Sequence, residues 1–249
     1  MSKRRRGSQQ APPRKQRAPV APVSGRTSSN IPGLPWLIGG AIVIVGGFLV
    51  LRPGGLGSPG APGSPSPRSS SAATTCPTSQ PPALPAGQTR TVSLTTPKGI
   101  IAIKVVADLS PIAAGNFVAL ASCNYYDGTV FHRTATLGDG TPFVIQGGDP
   151  TGTGSGGPGY TIKDEPVTTP YKRGTVAMAR TQAPDSVGSQ FFIVLDDKDG
   201  AILGSANTYQ IIGNVTSGME TADAIYLASG GEELPKNPIP ITTATVATP

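Results

Sequence analysis

No feature of the 249-residue chain restricts its folding as much as residues 31–51, which carry no charged side chain. The run reads Ile-Pro-Gly-Leu-Pro-Trp-Leu-Ile-Gly-Gly-Ala-Ile-Val-Ile-Val-Gly-Gly-Phe-Leu-Val-Leu. As a helix it would extend about 31 Å, the thickness of a bilayer's hydrocarbon core. Buried helices of soluble proteins are seldom so long and so uniformly apolar. The expectation is therefore one transmembrane helix. Pro32 and Pro35 fall in its first turn, where a missing amide hydrogen costs least, and Trp36 falls near an interface as aromatic anchors do.

The flanks set the orientation. Residues 1–30 hold eight basic side chains and no acid, whereas only Arg52 directly follows the apolar run. The positive-inside rule then puts the N-terminus in the cytoplasm and everything after residue 51 on the other side of a plasma membrane, in a single-pass arrangement. A basic tail alone would admit nucleic-acid binding, but one that leads straight into a membrane span sets topology, and no nucleic-acid partner is expected. A cleaved signal peptide fits less well: the run exceeds the usual apolar core of about 7 to 15 residues, and no small-x-small site follows it. Residues 52–88 are rich in Pro, Gly, Ser, Ala and Thr and nearly free of large apolar side chains, the composition of a disordered linker. From residue 71 onward ten basic side chains face fourteen acidic ones, so the remainder is acidic, unlike the tail. The chain thus divides into a basic tail 1–30, a membrane span 31–51, a linker 52–88 and a folded part 89–249.

Two cysteines, Cys76 and Cys123, would lie in an oxidising compartment. A disulfide between them is the favoured reading; two free thiols are the alternative. With one histidine and these two distant cysteines, no metal site is expected, and nothing calls for a cofactor.

The folded part reads as many short strands and two helices. Residues 91–106 alternate around Pro97-Lys98-Gly99 and predict a hairpin. Ser110 caps a predicted helix with Pro111 at its first position, and Ala113, Phe117, Leu120 and Ala121 form its buried stripe. Further strands are expected at 129–133, 143–147, 175–179, 190–195, 209–215 and 239–246, with a second helix at 218–228. The fold class is mainly β. A closed antiparallel barrel capped by the two helices fits this pattern, and a sandwich is not excluded by it.

Four segments carry the chemistry: Phe131-His132-Arg133; Phe143-Val144-Ile145-Gln146-Gly147-Gly148-Asp149; Met178-Ala179-Arg180; and Gly188-Ser189-Gln190-Phe191-Phe192. Together and in this order they resemble the cyclophilins, the peptidyl-prolyl isomerase family, over residues 91–249. The resemblance implies the closed barrel and an activity that rotates X-Pro bonds. Such rotation breaks no covalent bond but must remove amide resonance, behind a barrier of about 18 to 20 kcal/mol. It needs an apolar cup for the proline ring, hydrogen bonds to the flanking backbone and a donor for the prolyl nitrogen. By matching family positions, Arg133 is the catalytic donor and Gln146 holds substrate backbone. Phe143, Val144 and Phe192 match the proline pocket, with Leu203 and Tyr209 as further walls. Gln190 lies beside Gln146, and Ala179 and Arg180 match the groove for the residue before proline.

Singly, each residue has a plainer reading: Arg133 as a surface ion-pair partner, His132 as a structural side chain pointing into the barrel, the phenylalanines as core. The joint occurrence favours the isomerase. Residues 152–157 match GxGxxG, but Pro158 follows and no helix pattern opens there, so no phosphate loop is expected. The chain departs from the family in a longer connection, 134–142, between Arg133 and Phe143, and in Val144, Arg180 and Tyr209. The expected protein is a monomeric, membrane-anchored isomerase acting on proline-containing unfolded or exported polypeptides. The rival is a membrane-tethered proline-peptide binding or chaperone module with weak turnover.

Overall fold

Alternation of apolar and polar side chains builds the first hairpin. In β1 (Thr89–Thr96) and β2 (Gly99–Val106), Val92, Leu94, Ile101, Ile103 and Val105 turn to one face and are fully buried. The turn is closed by the Thr96 hydroxyl, which donates to Gly99 O at 2.9 Å and accepts from Lys98 N. The computed structural model describes residues 75–247. The basic tail, the apolar segment 31–51 and the linker up to residue 74 lie outside the described residues. Among the described residues no helix is long and apolar enough to cross a membrane.

After the hairpin come α1 (Pro111–Ser122), β3 (Val130–Phe131), β4 (Arg133–Thr136), β5 (Pro142–Gly147), β6 (Thr175–Met178) and β7 (Phe191–Val194). The chain ends with α2 (Asp199–Ala206), β8 (Ile211–Ser217), α3 (Met219–Ala228), β9 (Ile239–Pro240) and β10 (Thr243–Ala247). Eight strands form one antiparallel sheet in the order β10-β1-β2-β8-β6-β7-β5-β4. This is a half-barrel rather than the closed barrel expected, because its edges β10 and β4 do not pair. Instead the chain bends at both edges: β3, just before β4, pairs with β9, just before β10, in a separate two-stranded ladder.

Among the described residues the folded part holds three helices, not two. The stretch Asp-Gly-Ala-Ile-Leu-Gly-Ser-Ala contains two glycines and an aspartate, a composition of low helix propensity, yet it forms α2 because Leu203 packs into an apolar cluster. The cap of α1 also differs from expectation. Ser110 stands at the N-cap, but its buried hydroxyl has no hydrogen-bond partner. The Glu165 carboxylate takes its place, accepting from Ile112 N at 2.8 Å and Ala113 N at 2.9 Å. A charged acceptor meets both the free amides and the positive end of the helix dipole.

The segment expected as linker ends earlier than residue 88. Leu84 is buried in the main core, Leu84 N donates to Pro111 O, and Gln80 accepts from Lys163 N. Cys76 is joined to Cys123 by a disulfide, with the Cα atoms 5.1 Å apart. Few apolar side chains are needed to hold this strap, because a covalent link fixes one end and Leu84 the other. The strap lies so close to α1 that a Cβ on Gly115 would collide with the Pro82 carbonyl.

The main core is filled from one face of the sheet and from α1. Phe117, Tyr126, Phe131 and Phe191 are fully buried there, and Phe117 and Phe131 both meet Phe191 edge-on. α2 holds a buried acid, Asp199, whose Oδ2 accepts from Asp196 N at 3.0 Å and whose Oδ1 has no partner. Burial, with neighbouring Asp196 adding repulsion, pushes its pKa up to about 7.

Two outcomes are expected. Replacing both cysteines with serine lowers the melting temperature by up to about 10 °C, since the closed loop contributes at most about 4 kcal/mol in the chain-entropy account. Reductant lowers the parent protein's melting temperature to the same value and leaves the double variant unmoved. Because Asp199 ionises near pH 4 when unfolded but only at about 7 when folded, its contribution is fully present below pH 4 and is lost as pH rises between those values. Melting temperature measured across that window falls less steeply with pH in Asp199→Asn than in the parent.

Candidate active site

The pleat of the sheet sends alternate residues to opposite faces. On β7, Phe191 and Ile193 enter the main core while Phe192 and Val194 belong to a second apolar cluster; on β5, Ile145 enters the core and Val144 the cluster. The same division separates Val176 from Ala177 on β6 and Ile212 from Ile211 on β8. Strand register then lines up a row across this second face: Arg133 opposite Gln146, Gln146 opposite Phe192, Phe192 opposite Ala177, and Ala177 opposite Ile211. Polar side chains occupy the β4 end of the row and apolar ones the rest.

Phe143, Val144, Phe192, Leu203 and Tyr209 come together in this cluster, and Ala179 packs against it. They retain 3–8 % of their surface, whereas Ile145, Phe191 and Ile193 on the core side retain none. Phe192 and Tyr209 stand edge to face with ring centroids 5.3 Å apart. Burial raises the Tyr209 pKa despite the opposing pull of Arg133 and Arg180, so the hydroxyl stays neutral.

Arg133 and Gln146 are joined by a hydrogen bond of 3.3 Å from Nη1 to Oε1. Gln146 Nε2 donates to Gln190 Oε1 at 2.9 Å, and Gln190 Nε2 donates to the carbonyls of Gly154 and Gly156. The other edge of the guanidinium meets Glu233: Nε donates to Oε1 at 2.8 Å, and Nη2 lies 2.7 Å from the same oxygen, off the line of a hydrogen bond. The long connection 134–142 does not disturb this arrangement. It extends the β4–β5 hairpin into a tip closed by Leu137 and Thr141, and the register shift it causes lies beyond Arg133, between Ala135 and Thr136.

The glycine-rich segment 152–157 folds around the Asp149 carboxylate. The carboxylate accepts from Thr151 N, Thr151 Oγ1, Gly154 N and Gly156 N at 2.6–3.0 Å. Burial works to raise its pKa, but these bonds outweigh burial and the net shift is downward. The turn before it requires glycine: Gly148 has φ +87° and a Cβ there would press on Ser189 O at 2.8 Å.

Two more residues have defined surroundings. The Arg180 guanidinium is taken up by the adjacent turn, pairing with Asp164 at 2.9 Å and donating to Thr181 O and Ala183 O, so it does not stand free in the groove. His132 is buried beside the glycine-rich segment, where a Cβ on Gly154 would lie 3.7 Å from its ring. Burial lowers its pKa, which keeps the imidazole neutral.

Sequence reasoning missed Asp149 as the organiser of its loop, Glu233 as the partner of Arg133, and Tyr171, whose hydroxyl donates to Tyr209 O and accepts from Tyr209 N. Only Asp149 had a local signal, an aspartate followed by a run of glycines with spare amides. Among the described residues no group of three or more His, Cys, Asp or Glu side chains could hold a metal ion.

Comparison with known proteins agrees with this geometry. Residues 91–246 match the family model for cyclophilin type peptidyl-prolyl cis-trans isomerase/CLD. Peptidyl-prolyl cis-trans isomerase-like 3 of Dictyostelium discoideum is 36 % identical over 161 residues, 62 % of this chain and 94 % of that protein. Peptidyl-prolyl cis-trans isomerase B of Bacillus subtilis is 41 % identical over 123 residues, covering 49 % of this chain and 80 % of the relative. Among solved structures, a cyclophilin type isomerase of Cryptosporidium parvum superposes with a TM-score of 0.56 at 30 % identity, over 65 % of this chain and 99 % of that one. A second structure of the Cryptosporidium protein was determined in the presence of the dipeptide Ala-Pro and matches with a TM-score of 0.55. The row of Arg133, Gln146 and Phe192 is thus borne by a chain that belongs to the cyclophilin-type peptidyl-prolyl cis-trans isomerases.

Proposed function

We propose that the protein accelerates rotation about X-Pro bonds in exported, incompletely folded polypeptides outside a plasma membrane, with Arg133 as the donor to the prolyl nitrogen. The observation that carries this reading is the guanidinium held at the end of a strand row whose next members are an amide and an apolar cluster. The proline ring enters the cluster formed by Phe143, Val144, Phe192, Leu203 and Tyr209, with Ala179 at its margin. Gln146 and Gln190 serve the flanking backbone, their orientation fixed by the carbonyls of Gly154 and Gly156. A structure of the Cryptosporidium relative was determined in the presence of the dipeptide Ala-Pro, which supports the substrate class.

Taking the exchange from tens of seconds to milliseconds requires about 5.5 kcal/mol. A charge-assisted hydrogen bond supplies about 1.5 to 3 kcal/mol. Arg133 is therefore one contributor, and the rest comes from desolvating the amide in the apolar cluster and twisting it between fixed contacts. A guanidinium remains a donor throughout the physiological pH range, so this step needs no titrating group.

The location rests on three features: the basic residues of 1–30, the uncharged run 31–51, and the Cys76–Cys123 disulfide, which belongs to an oxidising compartment. In intact cells, protease added from outside is expected to remove a C-terminal tag and to spare an N-terminal one; protection of both tags would place the domain inside.

With the purified full chain, Arg133→Ala is expected to lower kcat/KM for a short X-Pro peptide about 10- to 150-fold, the range one charge-assisted bond allows, with the fold retained by circular dichroism. A parent protein that binds the peptide without accelerating its exchange would point instead to a tethered binding module.

A further inference from the structure

β4 is an edge strand, and its free side is covered by the segment that follows α3. Thr134 N donates to Glu233 O at 2.9 Å and Thr134 Oγ1 donates to Glu232 O at 2.7 Å. Two residues further along β4, Thr136 Oγ1 bonds the Tyr226 hydroxyl of α3 at 2.6 Å. The segment is thereby fixed against β4 next to Arg133, and the Glu233 carboxylate is delivered to the guanidinium from a position 100 residues away in sequence.

The two partners differ in environment. The Arg133 side chain is 15 % exposed and that of Glu233 is 56 % exposed. An ion pair with one partner so exposed contributes little to stability, so a fold-holding role does not account for the contact. Orientation does. A free arginine side chain samples many rotamers, and Gln146 alone, through one hydrogen bond of 3.3 Å, leaves the planar group free to swing about that contact. Glu233 grips the opposite edge, through Nε, and the plane of the guanidinium is then set from both sides.

We propose that Glu233 is a positioning residue that holds the Arg133 guanidinium in its productive orientation. The inference rests on the reading of Arg133 as the donor. Misplacement of a reacting group by about 1 Å can cost about a hundredfold in rate, and loss of one of two restraints should cost less.

The test follows exchange of an X-Pro peptide by magnetisation-transfer NMR with the purified full chain, comparing the parent, Glu233→Ala, Glu233→Gln and Arg133→Ala. Glu233→Ala is expected to lower kcat about tenfold with KM changed less than about twofold. Its melting temperature should match the parent's, and the Arg133 Nε–H resonance should shift and exchange faster with solvent. Glu233→Gln, which keeps an oxygen acceptor for Nε, is expected to recover most of the loss. An unchanged or raised kcat in Glu233→Ala overturns the proposal, as does a loss of kcat accompanied by equal changes in KM and melting temperature. Should Glu233→Ala not fold, Glu233→Asp decides: withdrawing the carboxylate by one methylene with its charge kept must lower kcat at constant KM. Arg133→Ala separates the two readings. If it retains parent activity, the donor role of Arg133 fails; if it loses activity while Glu233→Ala does not, only the positioning role fails.

Discussion

A guanidinium that is largely withdrawn from water must have partners, and the site is arranged to meet that demand for Arg133. Gln146 answers on one side and Glu233 on the other. Each answer imposes a further one. Gln146 must be oriented, which Gln190 does; Gln190 must be oriented, which the carbonyls of Gly154 and Gly156 do. Those carbonyls are held in place because the amides of the same residues are tied to Asp149. The line ends at a carboxylate kept ionised by its four hydrogen bonds. It is therefore a continuous polar network running from Glu233 to Asp149, and connected networks of this kind rigidify the structure that holds them.

The apolar half of the site follows from the pleat. A strand buried on both faces has no solvent-facing residues, and β6 and β7 are buried at every position. One face of those strands builds the core with α1 and the aromatic group around Phe191; the other builds the cluster around Phe192 and Tyr209. A single backbone thus supports both the core and the second cluster, and the cluster inherits the rigidity of the core. α2 completes the wall by contributing Leu203, and Tyr171 fixes Tyr209 through both of its backbone groups.

What was legible in the sequence was what local pattern encodes. Alternation located the first hairpin, and the motifs around Arg133, Gln146 and Phe192 located the residues that the sheet brings together. The misses are contacts between distant segments. Ser110 has the right chemistry for a helix cap, but Glu165 reaches the same amides with a full charge, and nothing near Pro111 announces it. Glu233 reads as one more surface acid until the chain after α3 is laid along β4. α2 was obscured by its glycines and aspartate, since tertiary packing and not propensity makes it a helix. The strap from Cys76 to Leu84 looked like linker because composition averages over a segment, while two anchoring side chains suffice to dock it.

The strap also decides where the chain meets the domain. Cys76 is bound to the end of α1, and α1 lies on the core face of the sheet, where Phe117 touches Phe191. The second apolar cluster lies on the opposite face, one residue along at Phe192. A disulfide at that point transmits any pull on Cys76 into α1 and the core, and not into the hairpin that carries Arg133 and Gln146. The Cys76–Cys123 disulfide and the apolar cluster around Phe192 therefore lie on opposite faces, separated by the thickness of the sheet itself.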